Sequence, residues 1–331
     1  MAKNNKIKVG IIGTGNCAKS LVEGVQYYAQ NLKSETGVMK TDIGGYLAGD
    51  VEFVVGFDID ERKTGLPLGE ALQQRPNCAW SIVDTIESKA PVFEAPVIDG
   101  YAGLMDNYPE ENRFLVSEKL RNSTDMNRVS WTNKLERKWK NTIIKELKSR
   151  KVEILVNYLP VGSQKTTEFW AEICLETGIS FVNCIPVFIA SDPAWEQRFI
   201  DAGIPLIGDD MRSQFGASIL SQMLQELAFE RGHHVKAHIQ RNVGGNTDFL
   251  NMEDKNRLAS KKISKENVIR AQNEIRGIST EDSFLHAGPS EYIHFYGDNK
   301  VANFRLELEG FGGSPVLFDA QLSVQDSPNS A

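Results

Sequence analysis

The feature that most restricts this chain is a short β-branched run that ends on a pair of glycines. Lys6 to Ile12, KIKVGII, has the composition of a strand buried on both faces. Gly13, Thr14, Gly15, Asn16, Cys17 and Ala18 follow as G-x-G-x-x-A, and a helix expected from about Asn16 carries Leu21, Val25 and Tyr28 on one side. In that context the first glycine permits a tight turn, the second lets a pyrophosphate approach the backbone, and the small Ala18 lets strand and helix pack closely. The amides that open the helix would point at the phosphates. Gly13, Gly15, Asn16, Cys17 and Ala18 are therefore expected at a dinucleotide.

A second strand, Val51 to Phe57, ends on Asp58. An acid there suits the adenosine ribose and repels a 2′-phosphate, which favours NAD over NADP, although a strand-end turn residue would look the same. Asp58 lies well beyond the roughly 20 residues of the usual fingerprint. The excess falls in the polar insertion Gln30 to Asp50, which could fold over the cofactor. Residues 64 to 134 read mainly as loops, and Leu135, Trp139, Ile143 and Leu147 then mark an amphipathic helix from Leu135 to Lys148. Ile154–Tyr158, Ile179–Cys184 and Ile204–Ile207 read as strands that alternate with helices over Gln164–Thr177 and Pro193–Ala202, the latter capped by Ser191 or Asp192. Such alternation predicts a parallel, doubly wound sheet with its ligands outside the carboxyl ends of the strands. Leu159–Ser163 and Ile185–Phe188 lie at those ends, either as plain turns or as cleft walls.

Beyond Ile207 the rhythm changes. Asp209 and Asp210 precede a helix bearing Ile219, Met223, Leu224 and Leu227, and either cap it or serve a site. Ala237–Val243, His294–Tyr296, Asn303–Glu309 and Val316–Val324 are predicted as antiparallel strands, the last two joined by the GFGGS turn at 310–314. Gly244, Gly245, Asn246 and Asp248 lead into a polar helix with Lys261 and Lys265 one turn apart. Ammonium groups on side chains whose Cβ atoms are roughly 5–6 Å apart repel each other, so the pair is either a solvated face or the holder of an anion. Lys300 by itself would be a hairpin lysine in water.

Lys plus Arg number 37 against 44 Asp plus Glu, a net charge of −7, which argues against nucleic acid and anionic membranes as partners. Attraction for a phosphate must then be local. The four cysteines, 17, 78, 174 and 184, show no CxxC spacing and are expected to be reduced thiols rather than zinc ligands or disulfides. No metal cage is expected. MAKNNKIKVG has no signal-peptide core and no apolar run approaches the roughly 20 residues of a membrane span, so a cytoplasmic protein is expected.

GGNTDFLN, with IIGTGNCAKSLVEGVQYY, VVGFDID, ILVNYLPVGS, FVNCIPVFIASDPAW, IGDDMRSQFGA, SKKISK and DSPNSA in order, closely resembles the prokaryotic myo-inositol-1-phosphate synthases. The resemblance covers nearly the whole chain. It implies an α/β fold: an NAD-binding Rossmann-like parallel sheet at 1–207, with 315–331 leading back to it, and an inserted α+β catalytic and oligomerisation domain at 208–314. It implies conversion of glucose 6-phosphate to an inositol phosphate with bound NAD, in inositol and phospholipid biosynthesis, by a homotetramer. Lys261, Lys265 and Lys300 fall on active-site lysine positions, with Asn246, Asp248 and Asp209 beside them. Asp99, Asp210 and Asp326 fall on positions near the cofactor. Many relatives have Lys where this chain has Arg212, which retains a charge and makes proton transfer there doubtful. Relatives continue past DSPNSA with a helix that closes the dinucleotide domain and with a further active-site lysine, so a chain ending at Ala331 is expected to lack both. A cyclase acting on another sugar phosphate, a non-catalytic NAD-binding homologue and an ordinary dehydrogenase are the alternatives.

Overall fold

A computed structural model of the chain describes residues 6–276 and 283–331. Six parallel strands form the first sheet: β1 (Ile7–Ile12), β2 (Val51–Asp58), β3 (Val92–Glu94), β4 (Ile154–Asn157), β5 (Ser180–Asn183) and β6 (Leu206–Ile207). Their spatial order is β3-β2-β1-β4-β5-β6. The winding reverses between β1 and β4, and a reversal of that kind opens a crevice at the carboxyl ends of the two strands. Helices α1 (Asn16–Gln30), α2 (Leu68–Ala71), α3 (Glu118–Thr124), α4 (Asn133–Arg150), α5 (Gln164–Thr177) and α6 (Pro193–Ala202) join and cover the strands. The core runs through Ile12, Val55, Phe57, Leu155 and Phe181, with the Trp170 ring of α5 tilted against Phe57, their centroids 4.9 Å apart.

Several expectations from the residues hold locally. Asp192 caps α6 by accepting from Ala194 N at 2.8 Å and Trp195 N at 3.1 Å, and α5 and α6 stop at Gly178 and Gly203 in the left-handed region. In α4 the buried residues are Ile143 and Leu147. Helix α1 differs from expectation, for its deepest residues are Ala18, Ser20, Val22 and Glu23, while Leu21, Val25 and Tyr28 are half-buried. The insertion after α1 differs too. Met39 and Ile43 stay 88% and 70% exposed, and no residue of 31–50 borders the cleft described below, so this segment does not fold over it.

The second sheet contains β7 (His234–Gly244), β8 (Phe284–Tyr292), β9 (Asn299–Glu309) and β10 (Pro315–Gln325), in the order β10-β9-β7-β8. Helices α7 (Ala217–Glu230), α8 (Thr247–Met252) and α9 (Lys255–Ile275) accompany it, and the short α10 (Asp326–Ser330) returns to pack on α1. The predicted pairing of β9 with β10 is found, Leu306 opposite Phe318 and Phe304 opposite Ala320. His294–Tyr296 is a 3-10 turn rather than a strand, and β8, which the residues do not announce, runs parallel to β7. Gly288 and Pro289 interrupt the strand pattern of β8, and the edge of a sheet is where a proline is tolerated.

Candidate active site

The turn after β1 sets one end of the cleft. Gly13 has φ 84°, and a Cβ there would lie 2.7 Å from the Tyr158 carbonyl oxygen, so only glycine fits. Among the described residues Gly15 caps α1 with no side-chain cap bond, and a Cβ on it would meet no atom within 4 Å. The first amides of α1 thus open onto free space in the cleft, as a dinucleotide pyrophosphate requires. Asn16 and Cys17 border that space, while Ala18 is fully buried and serves the packing of α1 alone. Asp58 also borders the cleft, but its carboxylate is already engaged. It accepts from Thr14 N at 2.7 Å, Thr14 Oγ1 at 2.5 Å, Ile59 N at 2.7 Å and Asp60 N at 2.9 Å. Beneath the same turn lies the wholly buried Lys63, whose ammonium donates to Thr14 O and Asn77 Oδ1, both at 2.8 Å.

The carboxyl ends of β4 and β5 supply the walls, through Tyr158 to Val161 and Cys184 to Pro186. Arg257 of α9, which the sequence does not single out, clasps the first of these. Its guanidinium donates to Val161 O at 3.0 Å, to Asp99 O at 2.7 Å and to Ser163 Oγ at 3.2 Å, and Gly162, with φ 85°, leaves room for its stem. Arg257→Ala is expected to cost ~3 kcal/mol, because two carbonyls and a hydroxyl lose a buried donor. A urea titration measures it, and a loss below ~1 kcal/mol would contradict the clasp.

Two aspartates expected at the site are turned away from it. Asp99 caps α5 instead, accepting from Lys165 N at 2.7 Å, Thr166 N at 2.9 Å and Thr166 Oγ1 at 2.6 Å, and only its neighbour Gly100 borders the cleft. Asp209 accepts from Asn183 Nδ2 and from the amides of Ile189, Ala190 and Ser191, at 2.7 to 3.1 Å, and so ties down the loop after β5. The chain then turns through Asp210 in the left-handed region, φ 60°, and it is Asp210 that faces the cleft.

The remaining expected residues converge. Lys261 and Lys265 come from α9, Lys300 from β9, Asp326 from the start of α10, and Asp248 from α8, all bordering one cleft with Asp210. Lys261 donates to Asp210 Oδ1 at 3.0 Å, and Lys300 donates to Asp326 Oδ1 at 2.6 Å. Burial works against the Lys261 ammonium, but Asp210 and Asp248 outweigh it and hold that group above the usual lysine range. Burial raises the Asp248 carboxyl. Burial acts likewise on Asp326, yet Lys300 foremost keeps it below the ordinary range. Lys265 is the exception: no carboxylate hydrogen-bonds to it among the described residues. Burial first, then the like charges of Lys300 and Lys261, push it down to about 7.

Asn246 borders the cleft as the cap of α8, accepting from Asp248 N at 3.1 Å and Phe249 N at 3.3 Å. Its amide donates at 3.1 Å to Asp298, a buried acid that sequence reasoning passes over although it stands two residues before Lys300. Asp298 also accepts from Ser327 N and Oγ, and burial pushes it up to about 6. A single buried carboxylate thereby joins the turn before α8 to the start of α10.

The family described as Myo-inositol-1-phosphate synthase matches residues 216–327, the stretch that carries the lysines. An inositol-3-phosphate synthase of Corynebacterium glutamicum is 41% identical over 98% of this chain and 84% of its own length. One from Mycolicibacterium smegmatis is 39% identical over 98% of this chain and 84% of its own. The crystal structure of a myo-inositol-1-phosphate synthase-related protein from Thermotoga maritima, 24% identical, shares the fold with a TM-score of 0.77 over 98% of this chain and 84% of that one. At these identities over almost all of its length, the chain belongs to the myo-inositol-1-phosphate synthase family.

Proposed function

We propose that the chain converts D-glucose 6-phosphate to 1D-myo-inositol 3-phosphate, an isomerisation in which the cofactor ends as it began. The observation that carries the reading is the convergence of Lys261, Lys265 and Lys300 on the cleft that the glycine turn opens into. NAD, held by the turn from Gly13 to Cys17, would supply a hydride acceptor at C5 of the sugar and a donor to the same carbon after ring closure. The protein's share is positioning and charge. Loss of a proton from C6 and attack of that carbon on the C1 aldehyde each pass negative charge through an oxygen, and fixed ammonium groups in a dry cleft stabilise such oxygens better than water does. Lys261 and Lys300, each donating a hydrogen bond to a carboxylate, suit the carbonyl oxygens.

Lys265, which hydrogen-bonds to no carboxylate among the described residues, suits the phosphate. Helix α7 begins at Gly216 with no side-chain cap among the described residues, and Ser213, Ala217 and Ser218 border the same cleft as Lys265, so a second set of helix amides is available to the anion. Asn246 holds Asp248 in place against Lys261. Asp209 and Asp99 act one step back, by holding the loops that carry Asp210 and Gly100. The exposed edge strand β10, with Val316, Leu317 and Phe318 between 38% and 55% exposed, supports a homotetramer assembled through the second sheet, and no described helix is long and apolar enough to cross a membrane. We place the enzyme in the cytoplasm.

The test is incubation with glucose 6-phosphate and NAD well below the substrate concentration, followed by NMR of the products. An inositol phosphate with no net NADH is expected. NADH accumulating in step with product would indicate a dehydrogenase, and NAD binding without turnover would reduce the chain to a binding protein.

A further inference from the structure

The side of β7 that faces α7 is polar where a sheet covered by helices calls for Val, Ile or Leu. His238, Gln240 and Asn242 alternate along the strand, each 1% exposed. Ser221 and Gln225 of α7 and Asn273 of α9, none more than 4% exposed, lie against them. Their side chains form one line. Asn273 Oδ1 accepts from Gln225 Nε2 at 2.7 Å, Gln225 Oε1 meets His238 Nδ1 at 2.9 Å, and His238 Nε2 meets Ser221 Oγ at 3.0 Å. Ser221 Oγ lies 2.8 Å from Gln240 Oε1, and Gln240 Nε2 donates to Asn242 Oδ1 at 3.1 Å. The line ends where Asn242 Nδ2 donates to Gly288 O of β8 at 3.1 Å, and Asn242 borders the cleft that holds the lysines.

Apolar residues at the three β7 positions would each stabilise the protein by ~1.5–3 kcal/mol through burial, more than the ~0.5–1.5 kcal/mol net of a satisfied hydrogen bond. What a polar line adds over an apolar interface is direction. Gln240 can donate to Asn242 Oδ1 only with the Asn242 amide turned towards Gly288, so the carboxamide has one orientation. Among the described residues this leaves Asn242 one amide hydrogen and one carbonyl lone pair without a partner. A hydroxyl, which donates and accepts at once, is the group that matches both.

We infer that Gln240, backed by Ser221 and His238, is a positioning residue that acts through Asn242, fixing a carboxamide that contacts a hydroxyl of the sugar phosphate. This rests on the proposed function for the identity of the substrate class. The test compares Asn242→Ala, Gln240→Leu, the more conservative Gln240→Glu, and Asn242→Ala together with Gln240→Leu, in the full chain loaded with NAD. Each single variant should lower kcat/KM about tenfold, the worth of one hydrogen bond, with NAD affinity unchanged. The double variant should fall no further than Asn242→Ala, because Gln240 has no other route to the substrate. Losses that multiply in the double variant, or that fall on NAD affinity as well, would mean that the line serves only the fold, and an unchanged kcat/KM in Asn242→Ala would remove the contact. Should Gln240→Leu fail to fold, Gln240→Glu keeps the volume and lacks the donor. Titration of glucitol 6-phosphate, which cannot cyclise, separates this inference from the proposed function. If the unsubstituted chain binds it without turning over glucose 6-phosphate, and the variants bind about tenfold more weakly, the reaction is misassigned and the positioning stands. If the unsubstituted chain neither binds nor turns over a sugar phosphate, both fall.

Discussion

Replacing Lys261 by Met is expected to lower kcat by about 10²–10³ or more while NAD binding persists, since one preorganised charge at a developing oxyanion is worth about that much. The lysine is held by Asp210 at 3.0 Å, with Asp248 adding to the field that keeps it charged. Its removal does two things at once. Under the proposed function it takes a positive charge from the reacting oxygen, and it leaves Asp210 and Asp248 facing each other with Asp326 nearby and one ammonium fewer between them. Breaking a buried pair by deleting one partner costs ~3–5 kcal/mol. Loss of folding must therefore be separated from loss of catalysis. Asp210→Asn with Lys261→Met removes the orphaned charge and should recover much of the stability while kcat stays low. Full activity in a folded Lys261→Met protein would remove the lysine from the mechanism.

The parts of this site that were legible in the sequence are those whose meaning is local. Strand, Gly13, Gly15 and helix are contiguous, and the one-turn spacing of Lys261 and Lys265 is local too. Lys300 and Asp326 carry no local signal strong enough to stand alone. The resemblance alone points to them, and their 2.6 Å pair joins β9 to α10. Asp209 and Asp210 mark the limit of such reading. They are adjacent and chemically identical, and one left-handed turn at Asp210 decides that the second faces the cleft while the first holds a loop. Lys63, Arg257 and Asp298 escaped because each is defined by distant partners: Thr14 for the first, Val161 for the second, Asn246 and Ser327 for the third. The line on β7 escaped for a further reason. Met223 and Leu227 suggest the inward side of α7 by hydrophobicity, yet they are 62% and 60% exposed, and the helix buries Ser221 and Gln225 instead. Hydrophobic periodicity cannot find a buried face whose function needs polar groups.

Binding of the sugar phosphate is expected to draw a proton from solution. Lys265 is pushed from its ordinary 10.5 down to about 7 by burial and by Lys300 and Lys261, so near pH 8 its amine is mostly neutral in the free protein. A phosphate ester, with a second pKa near ~6, arrives there as a dianion. Its charge favours the ammonium and raises the lysine again, so close to one proton should be taken up at pH 8 and progressively less towards pH 6, where the amine is already charged. Calorimetric titration of glucitol 6-phosphate in Tris and in HEPES reads this directly, because the apparent enthalpy then differs by the proton uptake times the difference in buffer ionisation heat. Lys265→Met should abolish the difference and weaken binding about 10²-fold, on the scale of a charge-assisted bond. The free protein carries the mirror of this effect. Between about 7 and 10.5 the unfolded chain binds the proton that the folded chain releases, so this group makes stability rise with pH across that window, and Lys265→Met should flatten the rise. An enthalpy independent of buffer would show that the phosphate does not sit against Lys265, and would move it to Lys300 or Arg212, which border the same cleft.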